Sequence, residues 1–165
     1  MARLIFEDGR EGTDADLGAL ASAHGIVVEH HPITPKLGPL LARPLLDDEA
    51  TRDVLAALPP RPEFPSRDLI MLHPDRRDNE QLATKFEDWH RHPGNEIRHI
   101  LDGEGVFGVI VDGHRADLFV EPGDFIVVPA GLEHNFRLTA TRRIKAVRYL
   151  SDASGWVAEF TGRAA

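Results

Sequence analysis

"WHRHPGNEIRHILDG", residues 89–103, gathers three of the chain's nine histidines and two acids into one stretch. Side chains alternate along a strand. His90 and His92 therefore share a face. If the chain loops at "PGN" and resumes as a strand, Glu96, Arg98 and Ile100 share that same inward face. Two imidazoles and a carboxylate then converge, with a guanidinium beside them. Imidazole nitrogen at about 2.0–2.1 Å suits several divalent transition metals. A third imidazole would give a three-nitrogen, one-oxygen set with positions left open. Alone, "HRH" is more often a solvated polar patch, so the third histidine decides the reading.

It is supplied by "GDFIVVPAGLEHNF", residues 123–136. The preceding "EPGD" is a turn, "FIVV" a buried strand and "PAG" a tight second turn. His134 opens the next strand, with Phe136 on its face. A histidine delivered by a rigid turn can reach across a small barrel to His90 and His92.

From His90 to about Phe160, short apolar runs recur every eight to ten residues: "NEIRHIL", "GVFGVIV", "ADLFV", "DFIVVPA", "HNFRL", "RRIKAVRYL" and "WVAEF". The turn signals "DGEG", "DGH", "EPGD" and "PAG" separate them. This spacing predicts an antiparallel sandwich or barrel. Upstream, "RLIFED" reads as a strand. "TDADLGALASAHGI" reads as a helix with Thr13 as N-cap and Asp16 three residues on. "IVVEHHPI" is a strand, "DDEATRDVLAAL" a helix with acids in its first turn, and "PPRPEFPS" a proline-rich surface linker. "RDLIMLH" is a strand and "RRDNEQLATKF" a third helix. A helical N-terminal part (about 1–86) wraps a β core (about 87–161), in one domain over 1–165.

Bulk composition fits this plan. The chain has 165 residues, 42% hydrophobic and 28% charged, which suits one soluble domain with a real core. No apolar run approaches the roughly 20 residues of a membrane span, and "MARLIFEDGREG" does not read as a secretory signal. A cytoplasmic location is expected. Cysteine is absent, so disulfides and thiolate ligands are excluded. A formal charge of −8 argues against nucleic acid or an anionic membrane as partner.

The two metal segments resemble the cupin motifs. His90, His92, Glu96 and Gly103 fit the first motif, and Gly123, Pro129, Gly131 and His134 the second. Thr84 and Leu138 stand where the motifs usually carry Gly and Asn. A narrower likeness covers most of the chain, weakest from about 36 to 64. "KFEDWHRHPGNEIRHILDGEGVF", "VPAGLEHNF" and "IKAVRYLSDASGWVAEFTG" are similar, in order, to segments of the acireductone dioxygenases. "SRDLIMLHPD" and "PKLGPLL" resemble family segments further upstream. Trp89 replaces a usual polar residue, His99 a usual aromatic, and the tail "TGRAA" is short for the family.

The resemblance implies a mainly β fold, a cupin-type double-stranded β-helix (jelly-roll barrel) with N-terminal helices packed outside. It implies a metal-dependent dioxygenase of methionine salvage that cleaves an acireductone, an enediol beside a ketone, with O2. One Fe(II) or Ni(II) per chain would be held by His90, His92, Glu96 and His134. Iron gives a 2-keto acid and formate; nickel gives a carboxylic acid, formate and carbon monoxide. The partners are then a small-molecule enediol and O2, and the chain a monomer or weak homo-oligomer.

Other residues extend the site. Arg98 and Arg148 are candidate catalytic cations for a substrate oxygen. The plainer reading of Arg98 is a partner that orients Glu96, and of Arg148 a structural ion pair. Phe86, Phe136 and Trp89 are candidates for the substrate wall, against ordinary core packing. His24, His30, His31, His73 and His114 read as surface or satisfied residues, and the odd parity of His99 turns it away from the metal. A related cupin dioxygenase acting on another enediol or a β-diketone fits the same residues. So does a cupin that binds a ligand without consuming oxygen. An isomerase would need a general base near the metal, and none is evident beyond the ligands.

Overall fold

Two antiparallel sheets face each other, and the strands that build them come from the whole length of the chain. The computed structural model describes residues 1–150 and 157–164. Strand β1 (Arg3–Phe6) is followed by helix α1 (Asp14–His24) and β2 (Val27–His30). A 3-10 turn (Pro35–Leu37), a single turn α2 (Gly38–Leu41) and α3 (Asp48–Ala57) lead to β3 (Ser66–Leu72) and α4 (Asn79–Glu87). Then come β4 (His90–Arg91), β5 (Glu96–Gly103), β6 (Gly105–Val111), β7 (His114–Val120), β8 (Asp124–Val128), β9 (His134–Leu138), β10 (Ile144–Leu150) and β11 (Glu159–Phe160).

The first sheet runs β1-β7-β6-β9-β4-β11 and the second β2-β8-β5-β10-β3. The fold is therefore mainly β, as the turn spacing indicates. The N-terminal part does more than wrap it. β1 is an edge strand of the first sheet, and β2 and β3 are the two edges of the second. Local pattern identifies these strands but not their partners, which lie about a hundred residues away in β7 and β8 and about eighty away in β10. His114 opens β7 rather than lying in a turn. Residues 151–156, within the "SDASGWVAEF" stretch, lie outside the described residues. Of the described residues in the expected strand "WVAEF", Glu159–Phe160 pair with β4.

Local chemistry accounts for the helix ends. Thr13 caps α1 by accepting from the Asp16 backbone N–H, and the Asp16 side chain reaches back to Thr13 N at 2.8 Å. This reciprocal box satisfies two of the helix's orphan donors. Asp47 caps α3 by one bond, its side chain accepting from Ala50 N at 2.9 Å.

Strand alternation sorts β5 and β10 into two faces. Ile100, Ile144 and Ala146 pack between the sheets with Phe107, Val109, Leu118, Ile126 and Val128. Ile97, Leu101, Val147 and Tyr149 face outward onto Leu41, Leu46, Ala50 and Val54, beneath α2 and α3. Burying each such branched side chain contributes roughly 1.5–3 kcal/mol. A one-residue slip of β5 would exchange the two sets. The register that satisfies both apolar layers also fixes Glu96 and Arg98 on the inner face.

Candidate metal centre

Cross-strand pairing joins the two motif segments. His90 on β4 is the direct partner of His134 on β9. Behind them Gly131 N donates to His92 O at 2.9 Å, and Ala130 N donates to Asn95 Oδ1 at 2.9 Å. The "PGN" and "PAG" turns are thus tied to one another. Gly131 has φ +76°, a left-handed backbone that glycine adopts without strain.

His90, His92, Glu96 and His134 are all buried, and one donor atom from each lies within 4.8 Å of the others. Each ring is held from behind by a backbone carbonyl. His90 Nδ1 is 2.6 Å from Asp88 O, His92 Nδ1 3.1 Å from Val157 O, and His134 Nδ1 2.8 Å from Leu132 O. A carbonyl oxygen only accepts, so every Nδ1 carries the hydrogen. A neutral imidazole has one N–H, so every Nε2 presents a bare lone pair. Glu96 Oε2 stands 3.0 Å from His134 Nε2 and 3.1 Å from His92 Nε2. Lone pairs face a carboxylate, and such an arrangement calls for a cation or shared protons between them. Two ligands at right angles on a metal at about 2.1 Å stand about 3.0 Å apart. The observed spacings match this.

Electrostatics keep these groups in ligand form. Burial alone would raise the Glu96 carboxyl. The Arg98 charge beside it outweighs burial and holds the group well below the usual carboxylate range. Burial lowers the His90 imidazole, opposed by its bond to Asp88 O. Arg98 Nη2 lies 3.1 Å from Glu96 Oε1, the oxygen turned away from the histidines.

A narrow cleft, with a cavity volume of about 30 Å³, opens beside Glu96 and Arg98. Among the described residues, those two are its only polar lining residues; Phe86, Phe136, Phe107, Ile100 and further aliphatic side chains make the rest. Phe86 comes from the last turn of α4, and Phe136 lies two residues beyond His134. The Phe136 ring covers Gly105, where an added Cβ would sit 2.4 Å from it.

Two expected contacts are placed differently. Trp89 is not among the residues that line this cleft. Alternation turns it to the opposite face from His90, where it is 2% exposed, with the Arg115 and Arg163 guanidinium carbons 5.7 and 5.9 Å from its ring centre. Arg148 does face inward. Its Nε donates to Asp68 Oδ1 at 2.9 Å and its Nη2 to the other carboxylate oxygen. This is the ion-pair reading of that residue. Asp68 was missed, although its even parity with Ile70 and Leu72 in "SRDLIML" marks an acid on an inward face.

The remaining histidines are accounted for. His99 points outward, its Nε2 3.2 Å from His31 O. His30 Nδ1 is 3.3 Å from the buried Asp124, and His73 Nδ1 accepts from Asp75 N at 3.1 Å. His24 and His114 lie near Asp112 and Glu7.

A model of the ARD/ARD' family matches residues 45–158. An acireductone dioxygenase of Rhodopseudomonas palustris is 77% identical over 165 residues, the whole of both chains. The chain belongs to the acireductone dioxygenase family. A more distant acireductone dioxygenase, from Microcystis aeruginosa, is 40% identical over 98% of this chain and 93% of its own. Among solved structures, acireductone dioxygenase from Bacillus anthracis with a cadmium ion in its active centre superposes with a TM-score of 0.86. It is 26% identical and covers 97% of this chain and 98% of its own. The acireductone dioxygenase fold thus extends over both sheets, with the His/His/Glu/His site between them.

Proposed function

We propose that this chain is a metal-dependent acireductone dioxygenase of methionine salvage. His90, His92, Glu96 and His134 hold one Fe(II) or Ni(II). The observation that carries the reading is the set of three carbonyl-fixed imidazoles whose bare Nε2 atoms meet the Glu96 carboxylate. The donor set fits a borderline divalent ion. Bound there, the metal supplies a cationic centre that favours the ionised enediol and brings it together with O2.

The chain's own residues do the rest. Arg98 places positive charge on the cleft wall beside Glu96, where a developing oxyanion is stabilised in a dry setting. It also keeps Glu96 ionised. Phe86 and Phe136 form the apolar wall that holds the substrate's tail and excludes water. The Asp88, Leu132 and Val157 carbonyls fix the imidazole tautomers, so no ligand has to lose a proton when the metal arrives. The enzyme works as a cytoplasmic monomer or weak homo-oligomer on a small molecule and O2. Among the described residues, no helix is long and apolar enough to cross a membrane.

The iron-loaded enzyme is expected to give formate and a 2-keto acid. The nickel-loaded enzyme is expected to give formate, a carboxylic acid and carbon monoxide. Apo-protein reloaded with each metal and supplied with acireductone tests this by headspace carbon monoxide. Gas from the nickel preparation alone supports the reading; identical products from both overturn it.

A further inference from the structure

Asn135 is buried, 3% exposed, and adjoins the ligand His134 on β9. Its Nδ2 donates to Glu87 O at 3.0 Å. Glu87 is the last residue of α4, and Asp88 beyond it is already extended, with φ −69° and ψ 135°. The final carbonyls of a helix lack partners within the helix. The Asn135 amide supplies one, and so pins the point where the helix stops.

That point has a site residue on either side. Phe86, one residue before Glu87, lines the cleft. The carbonyl of Asp88, one residue after, receives His90 Nδ1 at 2.6 Å. The amide has room because Gly108 is its cross-strand partner; a Cβ on Gly108 would lie 2.3 Å from Asn135 Oδ1. Gly108 and Asn135 therefore work together, one clearing the space that the other fills.

We propose that Asn135 is a positioning residue for the metal centre. Through Glu87 O it sets the Asp88 carbonyl that fixes the His90 tautomer, and it sets the direction of Phe86. The proposal rests on reading His90 as a ligand, but its test does not need the metal. Asn135→Asp keeps the shape and replaces the donor with oxygen facing oxygen. Asn135→Ala removes the donor without adding charge, and serves if the first variant folds poorly.

Nitrogen NMR of the apo-protein at fixed alkaline pH reports the tautomer of each ring separately. His90 is expected to lose its single tautomer while His92 and His134 keep theirs. Loss of metal affinity of about 10–100-fold is expected alongside, with KM for acireductone rising more than kcat falls. An unchanged His90 overturns the proposal, and so does an equal disturbance of all three rings, which would mark a merely structural role. If His90→Ala retains full metal affinity, the ligand reading fails by itself, and the tautomer result still stands or falls separately.

Discussion

His90 and His134 face each other directly across β4 and β9, their ring centres 4.6 Å apart, each with its Nδ1 held by the carbonyl two residues earlier in the chain. The same arrangement at two strands leaves two lone pairs aimed at one point. Glu96 adds a negative charge there. Without a cation these groups repel, so the metal should stabilise the fold as well as serve chemistry.

Metal removal is therefore expected to lower the unfolding temperature. Free metal at a hundredfold excess over Kd adds about 2.7 kcal/mol by mass action. Calorimetry before and after chelation checks this. His134→Ala should lose the metal-dependent part; a melting temperature indifferent to metal in the wild type would count against the site.

Arg98→Ala should keep metal and lose about 10²–10³ in kcat, the usual cost of removing a preorganised charge. Metal analysis beside steady-state kinetics separates the two effects. Parallel loss of metal and activity would make Arg98 a support for Glu96 alone.

Arg148 and Asp68 should act as a unit, because Arg148 Nε and Nη2 are both engaged by that carboxylate. Asp68→Ala, Arg148→Ala and the double variant are expected to lose similar kcat/KM, with stability lowered by no more than about 1 kcal/mol for this partly exposed pair. A far larger loss from Arg148→Ala would place its guanidinium on the substrate.

The parity of "HRHPGNEIRHI" revealed the ligand face, because alternation is local and the apolar residues of β5 enforce it. The antiparallel β pattern was likewise visible in the turn spacing. What sequence left hidden depends on distant partners. The edge roles of β1, β2 and β3 require pairings that no local pattern encodes. The carbonyl of Asp88 and the amide of Asn135 are backbone or neutral groups without a distinctive signature. Trp89 lies off the cleft because strand alternation turns it to the opposite face from His90.

His99 gives a pH prediction. Burial lowers its imidazole below the ordinary value near 6.5, opposed by its bond to His31 O. The native state therefore holds it neutral while the unfolded chain takes up a proton. Stability is present above about pH 6.5 and is lost as pH falls from there toward the folded value. His99→Phe should shrink the drop in urea midpoint between about pH 7.5 and pH 5. An unchanged drop would assign the effect to other groups.

Gly105→Ala should displace the Phe136 ring, since its Cβ would lie 2.4 Å away. Overpacking of this kind costs about 1–3 kcal/mol. KM for an acireductone with a methylthio tail is expected to rise while metal content stays at one per chain. Unaltered kinetics would remove Phe136 from the substrate wall.

Oxygen uptake tests the dioxygenase activity most directly. Apo-protein given one equivalent of Fe(II) or Ni(II), then acireductone, should consume one O2 per acireductone in an oxygen electrode, while His134→Ala treated identically stays silent. Silence from the loaded wild type, or equal uptake by the variant, would contradict it.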